Sequence, residues 1–172
     1  MDLENVFYQE VLQVFDQNKV KYILIGGLAV GFHGFQRFTG DMDLWLEPTL
    51  ENLERLYKTL ADDLKYPIDY INHIKDKRNI ENPVPIRLIS DDDTFYIDLM
   101  TNTFQRQFSW QECRDHCQYL DLKVFKVPVL HINHLISMKE NSKRLDNSMK
   151  DLVDAQELKK IRELRNLEKG KS

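Results

Sequence analysis

The spacing of apolar positions changes several times along the chain, and each change marks an expected element. Leu3, Val6, Phe7, Val11, Val14 and Phe15 recur at helical spacing and predict an amphipathic opening helix over residues 3–15. Residues 21–25 read as a short buried strand, ended by Gly26 and Gly27. The following LAVGFHGF suits a short helix whose first turn begins at that glycine pair. A turn over residues 36–40 leads into DMDLWL, which alternates as a strand does. Pro48 and Thr49 then open a helix with Leu50, Leu53, Leu56, Leu60 and Leu64 along one stripe.

Residues 66–85 lack clear periodicity and contain KDKRNIENP, so they are expected to be irregular and partly mobile. VPIRLIS and TFYIDLM predict a hairpin turned at Asp91, Asp92 and Asp93. A helix is expected over residues 109–119. LKVFKVPVL reads as a strand in which Pro128 favours an edge or a strand end. HINHLISMKENSKR and MKDLVDAQELKKIRELRNL predict two terminal helices. No repeat or linker divides the chain, which predicts one α/β unit over residues 1–172: a mixed-sheet part to about residue 130, then closing helices over about 131–168.

Composition narrows the class. The 172 residues are 42% hydrophobic and 30% charged with only 6 Gly and 5 Pro, which excludes collagen-like, low-complexity and wholly disordered chains. The longest apolar run, YILIGGLAVGF, is broken by glycines and falls short of the roughly 20 residues of a membrane span. The opening MDLENVFYQE carries acids where a signal peptide carries bases, so a cytoplasmic, membrane-free protein is expected. Two cysteines, Cys113 and Cys117, are too few for a disulfide framework and are expected to be reduced; with His116 they fall short of the four ligands of structural zinc.

The net charge of −4 argues against a protein that coats nucleic acid. Its distribution is uneven. Residues 139–172 hold ten Lys/Arg against seven Asp/Glu, leaving an acidic body with a basic tail, which fits a local anion site better than a broad binding face.

The densest chemical signal is GGLAVGFHGFQRFTGDMDLWL. Side chains two apart on a strand share a face, so Asp41 and Asp43 point together while Met42 and Leu44 turn to the core. Paired carboxylates repel unless a cation lies between them, and Mg2+ commonly joins one or two carboxylates to substrate phosphates. Asp98 in FYIDLM is the expected third ligand, because Ile97 and Leu99 claim the buried face. Three acids suit two metal ions in a phosphoryl or nucleotidyl transfer. Gly26 and Gly27, at a helix start, allow backbone N–H groups to approach phosphate oxygens.

In that order of motifs the chain resembles the nucleotidyltransferase fold enzymes, in particular the small bacterial branch related to the Abi-system (AbiEii-type) toxins. YILIGGLAVGFHGFQRFTGDMDLWL matches the pattern of glycine pair, His-Gly, Arg-x-Thr and Asp-x-Asp; YIDLM resembles the third-carboxylate strand; LISMKENSKRLDNSMKDLVDAQEL resembles the closing segment. The resemblance spans about residues 20–160. It implies an α/β nucleotidyltransferase fold that moves an NMP from an NTP to an acceptor hydroxyl on an RNA end, a protein or a small molecule, with Mg2+ and release of pyrophosphate. Carried over, Gly26 and Gly27 hold the phosphates, Asp41 and Asp43 the metals, and Asp98 completes the site as ligand or general base. Arg37, Thr39 and Lys139 match residues placed to meet the triphosphate. The closing segment departs from the family's compact Gly-Arg-Pro-Lys-Asp: SKRLDNSMKD is longer and lacks the glycine, so the resemblance does not fix the positions of Lys143, Arg144 and Lys150. The alternative of another class is a non-catalytic nucleotide-binding partner in a toxin–antitoxin-like pair.

Other chemistry-bearing residues have plainer readings. His33 is expected to cap or pack its helix, Trp45 to floor the site or fill the core, and Asp91, Asp92 and Asp93 to make a turn. His131 and His134 read as surface or core residues, and the basic C-terminal run as a solvated helix face.

Overall fold

A computed structural model describes residues 5–36, 38–77, 85–102, 108–142 and 148–169. Their sheet is built from β1 (Tyr22–Ile25), β2 (Asp41–Leu46), β3 (Ile86–Ile89), β4 (Tyr96–Met100), β5 (Gln118–Asp121) and β6 (Lys126–Val129). The spatial order is β3-β4-β2-β1-β6-β5. The sheet is mixed: β2 runs antiparallel to β1 but parallel to β4, β6 runs parallel to β1, and β3–β4 and β5–β6 are antiparallel hairpins.

Register divides the sheet into two unlike faces. Tyr22 pairs with Leu46, Leu24 with Leu44, Met42 with Ile97, and Leu88 with Ile97, so these side chains share one face, and all are buried. Helix α1 (Val6–Gln17) lies on it through Phe15, whose ring centroid is 6.1 Å from that of Tyr22. The opposite face begins apolar at Ile23 and Trp45 and turns acidic toward Asp43, Asp41 and Asp98. The alternation in DMDLWL therefore serves a core on one side and chemistry on the other.

The remaining helices are α2 (Gly26–Phe32), α3 (Leu50–Asp62), α4 (Ile68–Lys77), α5 (Trp110–Asp115), α6 (Ile132–Glu140) and α7 (Ser148–Lys169). Helix α2 packs on β1 and β2, α3 on α1 and α4, and α6 on α2 and α7. Thr49 caps α3 by accepting the N–H of Asn52, as the Pro-Thr start implied. Buried Asn52 spends its amide on the backbone N–H and carbonyl of Lys21, tying α3 to the start of β1. No helix among the described residues is long and apolar enough to cross a membrane.

Three elements depart from the sequence reading. The buried stripe of α1 is Tyr8, Val11, Leu12 and Phe15, while Val6 is exposed; the rich apolar content of that helix allowed two overlapping stripes. Residues 68–77, expected to be irregular, form α4 on the short stripe Ile71 and Ile74. Beside it, the Tyr66 and Tyr70 hydroxyls donate to the carbonyls of Ile89 and Arg87, satisfying the outer edge of β3. The rest of the segment, residues 78–84, lies outside the described residues. The expected helix over 109–119 stops at Asp115, and polar QYLD becomes β5, a strand created by pairing with β6 rather than by alternation. Of the two places expected for Pro128 it takes the strand end: it is the next-to-last residue of β6, which stands between β1 and β5 rather than at the sheet edge. Leu130 donates to Leu24 across the β1 side, so the missing N–H of Pro128 faces β1, where pairing is confined to Leu24 and Val129.

Candidate active site

Asp41 and Asp43 project from one face of β2, and parallel pairing sets Asp98 of β4 directly opposite Asp43. One carboxylate oxygen from each of the three lies within 4.8 Å of the others. This is the arrangement that strand parity implied. Met42, Leu44, Ile97 and Leu99 anchor the opposite sides of both strands in the core, so the acids are fixed at the backbone.

Each acid has its own neighbour. Thr39, just before the strand, donates its hydroxyl to Oδ1 of Asp41 at 3.0 Å, so the residue expected at the triphosphate orients a carboxylate. Asp43 packs against Gly26: a Cβ at that glycine would stand 1.9 Å from Oδ2 of Asp43. Gly26 also has φ +67°, so it serves both the sharp exit from β1 and the close approach of the carboxylate. Asp98 receives a two-pronged hydrogen bond from Arg87 on β3, Nε to Oδ1 at 2.7 Å and Nη2 to Oδ2 at 2.6 Å. The guanidinium also lies over the Tyr96 ring, 5.3 Å from its centroid. Its hydrogen bond to Asp98 holds Arg87 more firmly protonated than an ordinary arginine.

Arg87 is the site residue that sequence reasoning missed. Its signal was present in the hairpin: Ile89 pairs with Tyr96, so Arg87 falls opposite Asp98. Only the turn geometry sets that register. Ser90 receives the N–H groups of Thr94 and Phe95 on its hydroxyl and donates to Asp92, which confirms the turn reading of residues 91–93.

The donor set fits a hard divalent cation. It is all oxygen, three carboxylates converge within 4.8 Å, and adjacent Asp41 and Asp43 repel when no cation separates them. Among the described residues this is the only grouping of three such ligands, so Cys113, Cys117 and His116 form no second one. Burial pushes Cys113 up to about 12 and Cys117 up to about 11, which keeps both as thiols at neutral pH.

Lys139 lies elsewhere in its interactions. Its ammonium is 2.7 Å from Oδ1 of Asp151 and 2.9 Å from Oδ2 of Asp154, a buried ion pair that joins α6 to α7. Among the described residues no ion pair links it to the three acids of the sheet. Arg37, Lys143 and Arg144 lie outside the described residues, and Lys150 is exposed on α7.

His33 is fully buried and packs its helix end, as the plainer reading had it. Its Nε2 is 2.8 Å from the carbonyl of Leu130, which can only accept, so Nε2 carries the proton. Burial, helped by Arg165 and His131, lowers its pKa to about 4. Trp45 is buried on the acidic face and donates from Nε1 to the carbonyl of Thr101 at 3.4 Å. His131 and His134 form a cluster of rings with His116, centroids 6.1 and 5.8 Å from His134.

No family model matches the chain, and no curated protein matches it in sequence. A solved structure does resemble it: the lincomycin-bound crystal structure of the lincosamide antibiotic adenylyltransferase LnuA, with TM-score 0.50 over 92% of this chain and 98% of that one, at 14% identity. The chain has a nucleotidyltransferase fold. The α/β architecture expected from the sequence, a mixed sheet flanked by helices, is the observed one. At 14% identity the likeness is one of fold.

Proposed function

We propose that the chain transfers a nucleoside monophosphate from an NTP to an acceptor hydroxyl. One observation carries the reading: the β2–β4 register gathers Asp41, Asp43 and Asp98 on the polar face of a nucleotidyltransferase-type sheet. In this reading residues 1–172 act as one unit, with α6 and α7 closing the α/β part.

Asp41 and Asp43 would hold two divalent cations, Mg2+ by preference, with Asp98 completing the site as ligand or general base. Bound there, the ions supply the positive charge that offsets the triphosphate and the departing pyrophosphate. Thr39 keeps the Asp41 carboxylate turned into the site. Gly26 and Gly27 present the start of α2 to phosphate oxygens, and Arg37 and Lys139 are further nucleotide contacts carried over from the family motif. In the base role Asp98 takes the proton from the acceptor hydroxyl as the hydroxyl oxygen forms a bond to the α-phosphorus. The bond from that phosphorus to the β-phosphate oxygen breaks, and pyrophosphate leaves.

The acceptor is where two lines of support diverge. The motif resemblance to the Abi-related branch favours an RNA end or a protein, whereas LnuA is a lincosamide adenylyltransferase, which favours a small hydroxylated molecule. Incubation with each α-labelled NTP and Mg2+ against total RNA, the protein itself and lincomycin decides between them. Label on one acceptor, lost on adding EDTA and in Asp41→Asn, is the expected result. NTP binding without any labelled product would favour the non-catalytic partner protein instead.

A further inference from the structure

We infer that Arg87 is a built-in counter-cation that holds Asp98 until metal and nucleotide arrive together, then passes from the carboxylate to the nucleotide phosphates. This rests on the nucleotidyl-transfer reading above.

The fork from Arg87 engages both oxygens of Asp98, the acid that the proposed reaction needs as metal ligand or proton acceptor. A guanidinium presented side-on through Nε and Nη2 takes the best-directed lone pairs of both oxygens at once. A divalent cation shared among Asp41, Asp43 and Asp98 competes for the same electron density and repels the guanidinium. The two occupants are therefore alternatives on Asp98.

Arg87 also has open space on its solvent side. Its side chain is 53% exposed, against 13% for Asp98. It stands on β3, the sheet's edge strand, and its main chain is held independently by the Tyr70 hydroxyl on its carbonyl at 2.8 Å. The Tyr96 ring gives the guanidinium a surface to slide over. Displaced from Asp98, it remains a flat, always-charged donor beside the acids, suited to phosphate oxygens. Asp98 cannot follow it, because Ile97 and Leu99 on either side are fixed in the core. The pairing thus disfavours a cation alone and favours a cation that brings a polyanion for Arg87 to meet.

The test is Mn2+ binding by electron paramagnetic resonance, with and without ATP, on the folded full chain. Arg87→Met should bind Mn2+ about tenfold more tightly without ATP, since a competing positive charge is gone. The same variant should bind ATP about tenfold more weakly in the presence of Mn2+, having lost a charged phosphate donor. A residue that merely positions Asp98 would lower both affinities, and that outcome overturns the inference. In an Asp98→Asn background the gain from Arg87→Met should shrink to less than about twofold, because the exchange on Asp98 no longer exists. An undiminished gain there would mean long-range repulsion only and also overturns it. Arg87→Gln repeats both measurements if Met disturbs folding. Wild type that binds Mn2+ equally well with and without ATP, and is matched by Arg87→Met, removes the exchange but leaves the transfer reading standing. Wild type that binds no Mn2+ under either condition removes the cation site and both readings.

Discussion

The backbone of Gly26 lies against the carboxylate of Asp43 so closely that a methyl group there would stand 1.9 Å from Oδ2. The glycine at the end of β1 is thus a fitted part of the acidic site. Gly26→Ala meets two penalties: a left-handed φ of +67°, worth about 1–2 kcal/mol for a residue with a Cβ, and displacement of Asp43. Urea unfolding should show that loss of stability, and Mn2+ binding should fall even where the variant is fully folded. Wild-type Mn2+ affinity in Gly26→Ala would show that Asp43 can move without consequence.

Asp41→Asn and Asp43→Asn should each abolish transfer while leaving the fold intact. Removing one of two neighbouring negative charges relieves repulsion, so the melting temperature without metal should stay level or rise. The same substitution should erase any rise in melting temperature that Mg2+ gives the wild type, since a ligand that binds the folded state stabilises it by mass action. A variant that keeps full transfer activity would remove that acid from the proposed site.

The legible part of this site was the part written in local parity. Strand alternation places Asp41 and Asp43 on one face and Asp98 on the matching one, and the paired glycines mark the turn beside them. Arg87 was not legible because its meaning depends on the hairpin register, which the Ser90 and Asp92 turn sets through hydrogen bonds. The ion pair of Lys139 was not legible for a related reason: its partners, Asp151 and Asp154, come from a different helix, and only the packing of α6 on α7 brings them within reach. Helix α4 and strand β5 show the same limit, since Ile71 and Ile74 make too short a stripe and QYLD has no apolar alternation.

Lys139 offers a direct contest between the family motif and the observed geometry. Removing one partner of a buried ion pair costs about 3–5 kcal/mol, because the remaining charges stay desolvated. Lys139→Met should therefore destabilise the chain on that scale, and adding Asp151→Asn with Asp154→Asn should recover much of the loss. Chemical unfolding of the single and triple variants measures both. A Lys139→Met protein of wild-type stability with a raised nucleotide KM would instead support the triphosphate role.

His33 ties stability to pH through its burial. Fully enclosed and donating from Nε2 to Leu130, it is held neutral: its folded pKa is about 4 against an ordinary 6.5, lowered first by desolvation and then by Arg165 and His131. The unfolded chain takes up the proton near pH 6.5 and the folded chain only near pH 4, so over that interval the unfolded state binds more protons. The stabilisation is complete above about pH 6.5 and is lost as the pH falls toward 4, an effect on the order of 3 kcal/mol. His131 and His134 are also lowered, chiefly by burial and then by neighbouring imidazoles for His131, and they act in the same direction. His33→Gln keeps a donor for the Leu130 carbonyl but cannot titrate. Urea unfolding at pH 7.0 and pH 5.0 should show the wild type losing stability over that step, and the variant losing distinctly less. Equal losses in the two proteins would assign the acid sensitivity to other groups.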